Sequence, residues 1–561
     1  MFVFSFSLYC FNLIDTVKRN MVNYQIFMTF ILGGNLTMFR VLVSDKMSND
    51  GLLPLLESDF VEIVQKNVTE AEDELHTFDA LLVRSATKVT KELYEKMTSL
   101  KIVGRAGVGV DNIDIDEATK HGVIVINAPN GNTISTAEHT FAMISSLMRH
   151  IPQANISVKS KEWNRGAYVG AELYGKSLGI VGLGRIGSEI AQRARAFGMT
   201  VNVFDPFLTK ERAEKIGVNA KSLDEVLEVS DIITVHTPLT KETRGLLNKE
   251  TIAKTKKGVR LVNCARGGII DERDLLEALE NGHVAGAALD VFEVEPPTEN
   301  PLVDHPNVIA TPHLGASTKE AQLNVAAQVS EEVLQFAKGL PVMSSINLPA
   351  MTKDEFKKIQ PYHQFAGKLG RLVSQSMREP VKEVSISYEG SIAKLETSFI
   401  TKSLLSGFLK ERVDSTVNEV NAGMVAKERG ISFSEKISSS ESGYENSISI
   451  EVKGDLSTFT LKATYIPHLG ERVVSINGFN IDFYPDGHLV YIQHTDAPGV
   501  IGQVGKILGD HDVNIATMQV GRKEKGGEAI MMLSFDKHLE DEIVQTLTKV
   551  SDILSVRLID L

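Results

Sequence analysis

Residues 177–206 read SLGIVGLGRIGSEIAQRARAFGMTVNVFDP, and the folding of this stretch decides the architecture around it. An apolar run (Leu178, Ile180, Val181) breaks on Gly182-Leu183-Gly184-Arg185-Ile186-Gly187. Ile186, Ile190, Ala194 and Phe197 then share one helical face until Gly198, and a second apolar run, Val201–Phe204, ends on Asp205. The expected unit is strand, glycine turn, helix, strand. In such a turn the first glycine permits the tight bend, the second admits a pyrophosphate to the backbone, and the third lets helix and strand pack closely. The helix N-terminus offers unpaired N–H groups and the positive end of its dipole to phosphates. Asp205 lies near the ~20-residue spacing at which an acid bonds the ribose 2′-hydroxyl. A carboxylate there repels a 2′-phosphate, so the expected cofactor is NAD rather than NADP.

Working outward, 561 residues predict three or four domains at ~150 residues each. Apolar content of 43% and charged content of 23% are those of an ordinary globular chain. The net charge of −13 and a pI near 5.6 argue against nucleic-acid or membrane-surface partners, both of which favour basic patches. Two cysteines, Cys10 and Cys264, are too few for a disulfide framework, which points to a reducing cytoplasm. No metal site is expected. Residues 1–37 stand apart: they are rich in Phe, Leu, Ile and Met, too interrupted for a membrane span, and without a basic leader or cleavage signal. They read as an upstream mis-started or disordered extension, with a weak targeting segment as the alternative. The chain from Phe39 begins a convincing first strand.

From Met38 to about Asn130 strands alternate with helices, the signature of a mostly parallel sheet. Asn132–Ile151 is a long helical pattern that leads into the dinucleotide fold, and a helix over Lys319–Phe336 is expected to return to the first domain. Gly339–Ala350 reads as a linker. Beyond it lie helices over Gln364–Met377 and Ser398–Arg412, several β-patterned runs, and a serine-rich loop, Ser438–Gly443. From His488 the order is β-α-β-β-α-β, which is ferredoxin-like. The predicted domains are therefore 38–138 with 314–340, an inserted 139–313, then 350–485 and 488–561.

Three strand ends carry charge. Arg266 follows the strand ending at Asn263-Cys264, Glu295 follows Asp290-Val291, and His313 follows Val308–Ala310. Singly, each has a bland reading: a surface salt bridge, a solvated acid, a satisfied core histidine. Together they place a cation, a carboxylate and an imidazole at the ligand-binding edge of one nucleotide sheet. Oxidising an alcohol by hydride transfer needs those roles: a base, its orienter, and a cation for an anionic substrate.

The motifs VGLGRIG, HTPL (236–239), NCARGGIIDE (263–272), ALDVFEVEPP (288–297) and TPHLGAST (311–318) resemble the D-isomer-specific 2-hydroxyacid dehydrogenases. VRSAT (83–87), GRAGVGVDNIDI (104–115), NAGMVAKERGI (421–431) and HTDAPGVIG (494–502) extend the resemblance to a long form that acts on a phosphorylated hydroxyacid and carries an intervening and an ACT domain. The implied fold is a Rossmann dinucleotide-binding domain inserted in a flavodoxin-like α/β substrate domain, followed by an α+β intervening domain and a ferredoxin-like ACT domain. The implied reaction is NAD-dependent oxidation of 3-phosphoglycerate to 3-phosphohydroxypyruvate, the first step of serine synthesis, in a homodimer or homotetramer with L-serine as effector. The alternatives are another D-2-hydroxyacid dehydrogenase, acting on 2-hydroxyglutarate, glyoxylate or lactate, and an NAD-sensing interaction protein.

By the same resemblance, His313 is the base, Glu295 its orienter, and Arg266 the holder of the carboxylate. Cofactor contacts fall on Val108, Gly182, Gly184, Arg185, Ile186, Gly187, Asp205, Thr237, Pro238, Cys264, Ala265, Asp290, His313 and Ala316. Substrate contacts fall on Arg84, Ser85, Gly107, Val108 and Gly109, with Arg165 reaching a phosphate across a dimer contact. Asp496 and Asn514 would bind the effector between neighbouring ACT modules.

Overall fold

Four sheets divide the chain in a computed structural model that describes residues 38–414, 416–438 and 443–561. The expectations for 1–37, and for most of the serine-rich loop, lie outside those residues. The first sheet has five parallel strands in the order β2-β1-β3-β4-β5: β1 (Phe39–Val43), β2 (Val61–Gln65), β3 (Ala80–Val83), β4 (Ile102–Arg105) and β5 (Ile124–Asn127). Helix α1 (Asn49–Leu56) covers one face of it. Helix α2 (Thr133–Arg149) then carries the chain onto a second sheet, burying Ala137, Phe141, Ile144 and Leu147 against Leu178 and Ile180.

The second sheet has seven parallel strands: β6 (Ser177–Val181), β7 (Thr200–Phe204), β8 (Asn219–Ala220), β9 (Ile232–Val235), β10 (Val259–Asn263), β11 (Val284–Leu289) and β12 (Val308–Ala310). Their order, 12-11-10-9-6-7-8, reverses at β6, so the crevice beyond the carboxyl ends of β6 and β9 is the switch point where open α/β sheets bind ligands. The glycine turn sits there. Helix α3 (Arg185–Ala196) follows it and buries Ile190, Ala191 and Ala194, the face its sequence spacing predicts. Helix α4 (Lys319–Ala337) does return to the first sheet, placing Val325, Val329 and Val333 in one core with Val41, Leu52 and Ile102.

Two elements depart from expectation. The stretch after Gly339 is pinned, not a free linker: Ser345 bridges Ile126, and Asn347 accepts from Val125 N and donates to Val123 O. The next helix, α5, spans Lys353–Ser376 and begins well before Gln364. Thr352 and Glu355 form a reciprocal capping box that starts it, and Pro361 is carried inside at the loss of one N–H donor. Helix α6 (Thr397–Lys410) packs beside α5.

The third sheet, order 14-13-15-16-17-18, contains β13 (Val381–Gly390), β14 (Ser432–Ser438), β15 (Asn446–Gly454), β16 (Thr458–Ile466), β17 (Gly470–Ile476) and β18 (Phe479–Phe483). The fourth is antiparallel, order 20-21-19-22: β19 (His488–Thr495), β20 (Ile515–Arg522), β21 (Glu528–Phe535) and β22 (Ile553–Asp560). Helices α7 (Val500–Asp510) and α8 (Asp541–Thr548) pack on one face of it. Leu489, Tyr491, Met532 and Ile559 on the other face join the core of the third sheet.

Candidate active site

The glycine turn is shaped by two close approaches. Gly182 has φ +96°, and a Cβ there would lie 2.6 Å from His236 O. A Cβ on Gly187 would strike Gly182 O. A Cβ on Gly184, by contrast, meets nothing within 4 Å, so open space lies before the first turn of α3, whose N-cap has no side chain to occupy it. That space belongs to a cavity of about 480 Å³ lined from both α/β domains. Val108 and Gly109 stand on one side; Arg185, Ile186, Thr237, Pro238, Cys264 and Ala265 stand on the other. His236 Nδ1 and Thr237 Oγ1 on this wall are buried without partners among the described residues. Buried polar atoms are normally paired, so the wall suits a polar ligand such as a dinucleotide. Burial pushes the His236 imidazolium down to about 3, keeping that ring neutral. Burial likewise pushes the Cys264 thiol up to about 12, so Cys264 is wall rather than nucleophile.

Asp205 follows β7, with Oδ2 accepting from Leu183 N at 2.7 Å and Oδ1 from Phe207 N at 2.8 Å. These bonds fix the carboxylate at the mouth of the turn and leave lone pairs for a ribose diol. Asp205→Ala is expected to weaken NAD binding about 10–100-fold, the loss of a charge-assisted hydrogen bond. NADP binding should hold or improve in a fluorescence titration of both dinucleotides. Equal losses for the two would remove the ribose assignment.

His313 and Glu295 meet at the rim: His313 Nδ1 lies 2.9 Å from Glu295 Oε2. His313 has φ +54°, a strained value for a side chain of its size. Its surroundings impose that value, since His313 N donates to Asp290 O and Thr311 O. Asp290 is the buried anchor of the loop. Its carboxylate accepts from Thr311 Oγ1 (2.6 Å), Leu314 N (2.7 Å) and Gly315 N (2.9 Å), and His139 Nε2 lies 3.2 Å away. Burial alone would raise its pKa; the bonds from His139, Thr311 and Leu314 outweigh that and hold it below the ordinary carboxylate value. Asp290 thus stands behind the cavity wall. Glu295 follows the same pattern, with burial opposed by His313 and by Phe292 N, and the net direction is again downward.

Arg266 crosses to the other domain. Its Nε bonds Asp111 Oδ2 at 3.1 Å, Nη1 bonds Ala265 O at 2.6 Å, and Nη2 lies against Gly109, where a Cβ would collide with it. Behind it stands Arg105, a residue the sequence reading did not single out. Burial first, and then the charge of Arg266, push the Arg105 guanidinium below its usual value, and Arg84 adds to the effect. Arg105 Nε is buried without a partner among the described residues. Arg84, Arg105 and Arg266 thus bring three positive charges near one another, a setting that suits a multiply charged anion. The backbone of the Arg84–Thr87 loop is held by Asp45, which accepts from Arg84 N and Thr87 Oγ1 at 2.6 Å each, and by Asn112, whose Nδ2 donates to Arg84 O and Thr87 O. Ser85 on that loop is exposed. Asn127 Nδ2 holds Val108 O, and Ala128 N donates to Gly107 O.

Arg165 lies outside this assembly, in an exposed turn beside Trp163, and is not among the cavity residues. Asp496 and Asn514 are not together within one chain. Asp496 follows β19 and accepts from Arg522 Nη1 and Gly526 N, whereas Asn514 precedes β20 at the opposite end of the sheet, 3.4 Å from Asp536.

Comparison with known proteins adds to this geometry. Residues 141–315 match the D-isomer specific 2-hydroxyacid dehydrogenase NAD binding domain, 358–477 the D-3-phosphoglycerate dehydrogenase intervening domain, and 488–552 the ACT domain. The chain is 86% identical to the D-3-phosphoglycerate dehydrogenase of Bacillus subtilis (strain 168), over 93% of this chain and 100% of that protein. It is 42% identical to that of Methanocaldococcus jannaschii, again over 93% and 100%. Among solved structures, the TT0316 protein from Thermus thermophilus superposes on 55% of this chain and 99% of its own, with a TM-score of 0.51 and 31% identity.

Proposed function

From the premise that this chain belongs to the D-3-phosphoglycerate dehydrogenase family of D-isomer-specific 2-hydroxyacid dehydrogenases, we propose how its residues carry out the reaction. It is an NAD-dependent dehydrogenase that oxidises 3-phospho-D-glycerate to 3-phosphohydroxypyruvate, the first step of L-serine synthesis. The observation that carries the assignment of roles is the His313–Glu295 pair at the rim of a cavity that Arg266 also lines.

NAD, held by the glycine turn, Asp205 and the Thr237–Cys264 wall, supplies the hydride acceptor. His313 turns Nδ1 to Glu295, so the Nδ1 proton is held there and Nε2 is free to accept the C2 hydroxyl proton. Arg266 grips the carboxylate with its free edge and polarises the C2 oxygen. The N–H groups of Val108 and Gly109 meet the same carboxylate, that of Gly107 being spent on Arg105 O, and Arg84 and Arg105 take the phosphate. A substrate panel tests the reading: kcat/KM for 3-phosphoglycerate should exceed that for D-lactate, D-2-hydroxyglutarate and D-glycerate. Equal values would point to a dehydrogenase of broader specificity.

The exposed apolar residues Ile156, Val158, Trp163, Val169 and Tyr174 support a homodimer or homotetramer in which they are covered. Among the described residues no helix is long and apolar enough to cross a membrane. Cytoplasmic residence is proposed on the two-cysteine composition.

L-Serine is proposed as the effector, bound between two ACT modules, because Asp496 and Asn514 can share a ligand only when a second copy brings the opposite ends of its sheet alongside. L-Serine should inhibit the wild type, whereas Asp496→Ala and Asn514→Ala should stay active and lose sensitivity by ~10-fold or more, the usual scale of allosteric coupling. Inhibition in steady-state assays that is unchanged in both variants would place the effector elsewhere.

A further inference from the structure

The ACT module carries a second cluster of metal-ligating side chains, far from the glycine turn. His488 opens β19, Asp560 closes β22, and the two face each other in register. His538, on the loop between β21 and α8, completes a triangle in which all three ligand atoms lie within 4.8 Å of one another. His488 Nδ1 is 2.6 Å from Asp560 Oδ1, and His538 Nδ1 is 3.1 Å from Oδ2. The two rings are 5.7 Å apart and nearly perpendicular, at 79°. We propose that His488, His538 and Asp560 form a binding site for a divalent transition-metal ion of the zinc class.

The geometry fits such an ion. Zinc binds imidazole nitrogen and carboxylate oxygen at about 2.0–2.2 Å in tetrahedral array, so its ligand atoms sit roughly 3.3 Å from one another. The His538–Asp560 separation is already close to that value, and a small rotation of His488 supplies the third ligand. In the ion-free protein each Nδ1 donates its proton to the carboxylate; coordination through Nδ1 would displace that proton and leave Nε2 carrying the ring proton. All three side chains are part-exposed, so water can complete the shell. Asp560 is also held from behind: its N donates to Gln375 Oε1 and its O accepts from Gln375 Nε2, both at 2.9 Å. These two bonds fix the backbone from which the ligating carboxylate projects. The other three-residue cluster, His139, Cys264 and Asp290, lacks these properties. The Asp290 carboxylate is already committed to Thr311, Leu314 and Gly315, and the Cys264 thiol is held protonated by burial.

A bound ion would join the first residue of β19, the last of β22 and the β21–α8 loop into one cross-link, at the seam where Gln375 of α5 meets the ACT sheet. The full-length protein, stripped with a chelator, should bind one equivalent of Zn²⁺ per chain by calorimetry. It should also gain the visible absorption of four-coordinate Co²⁺ and melt at a higher temperature with the ion present. His538→Ala and Asp560→Asn should weaken binding by more than ~10-fold and abolish the Co²⁺ spectrum, while their metal-free melting stays close to wild type. Asp560→Asn keeps both backbone bonds to Gln375, so it separates loss of the ligand from loss of the seam. Zinc affinity that is the same in wild type and both variants, or no binding by the wild type with zinc in large excess, would overturn the site.

Discussion

His313→Asn should lower kcat for 3-phosphoglycerate oxidation by about 10²–10⁴-fold, the usual scale for loss of a general base. The asparagine keeps a polar group near Glu295 but cannot accept the C2 proton. NAD binding, which the proposal assigns to Asp205 and the glycine turn, should hold within a small factor. Glu295→Gln tests the other half of the pair. The carboxylate 2.9 Å from Nδ1 orients the ring and holds its Nδ1 proton, so its removal should lower kcat while NAD binding holds. The Glu295 value is depressed, so its stabilising contribution is complete at neutral pH. That contribution is lost as pH falls through the folded value, below the ordinary carboxylate range. A His313→Asn enzyme within tenfold of wild type would show that the proton leaves by another route.

Arg266→Ala should produce the second large effect. Removing one partner of a close, desolvated charge pair costs about 2–5 kcal/mol, which is roughly 30- to 5,000-fold in kcat/KM. Both kcat and KM should suffer, because in the proposed role the guanidinium grips the carboxylate in the ground state and the developing charge on the C2 oxygen in the transition state. Arg266→Lys should recover little, since an ammonium cannot bond Asp111, Ala265 O and the substrate with one planar fork. Steady-state kinetics with 3-phosphoglycerate decides it. A loss below tenfold for Arg266→Ala would transfer the carboxylate to Arg105 or Arg84.

The residues named from sequence around this cavity sit on short local signals. Gly182, Gly184 and Gly187 are legible because a glycine turn is written in consecutive residues between two apolar runs. Arg266, Glu295 and His313 are legible because charge at a strand end is unusual. Arg105 was missed for the converse reason: it ends β4 in a short apolar strand, and only the folded arrangement brings Arg266 and Arg84 beside it. Asp45, Asn112 and Asn127 serve backbone groups 19 to 42 residues away in the chain, a relation that no local pattern encodes. Strand β14 was hidden by polarity. Its residues, Ser-Phe-Ser-Glu-Lys-Ile-Ser, lie on the sheet edge with much of their length exposed, so no apolar alternation marks them. The start of α5 was obscured by Pro361, a residue that more often ends a helix than rides inside one.

The insertion of one sheet within another also sets an order of assembly on the ribosome. Helix α1 and helix α4 pack so closely that a Cβ on Gly51 would reach 2.5 Å from Ala326 Cβ, yet they are about 270 residues apart in the chain. At synthesis rates of ~5–20 residues per second, roughly 15–55 s pass between emergence of the first helix and of its partner. For that interval Val41, Leu52 and Ile102 lack the cover that Val325, Val329 and Val333 later provide. The seven strands of the second sheet, by contrast, are all translated by Ala310. The nascent chain therefore completes its middle before its beginning, and the first sheet is the stretch most in need of a chaperone while it waits.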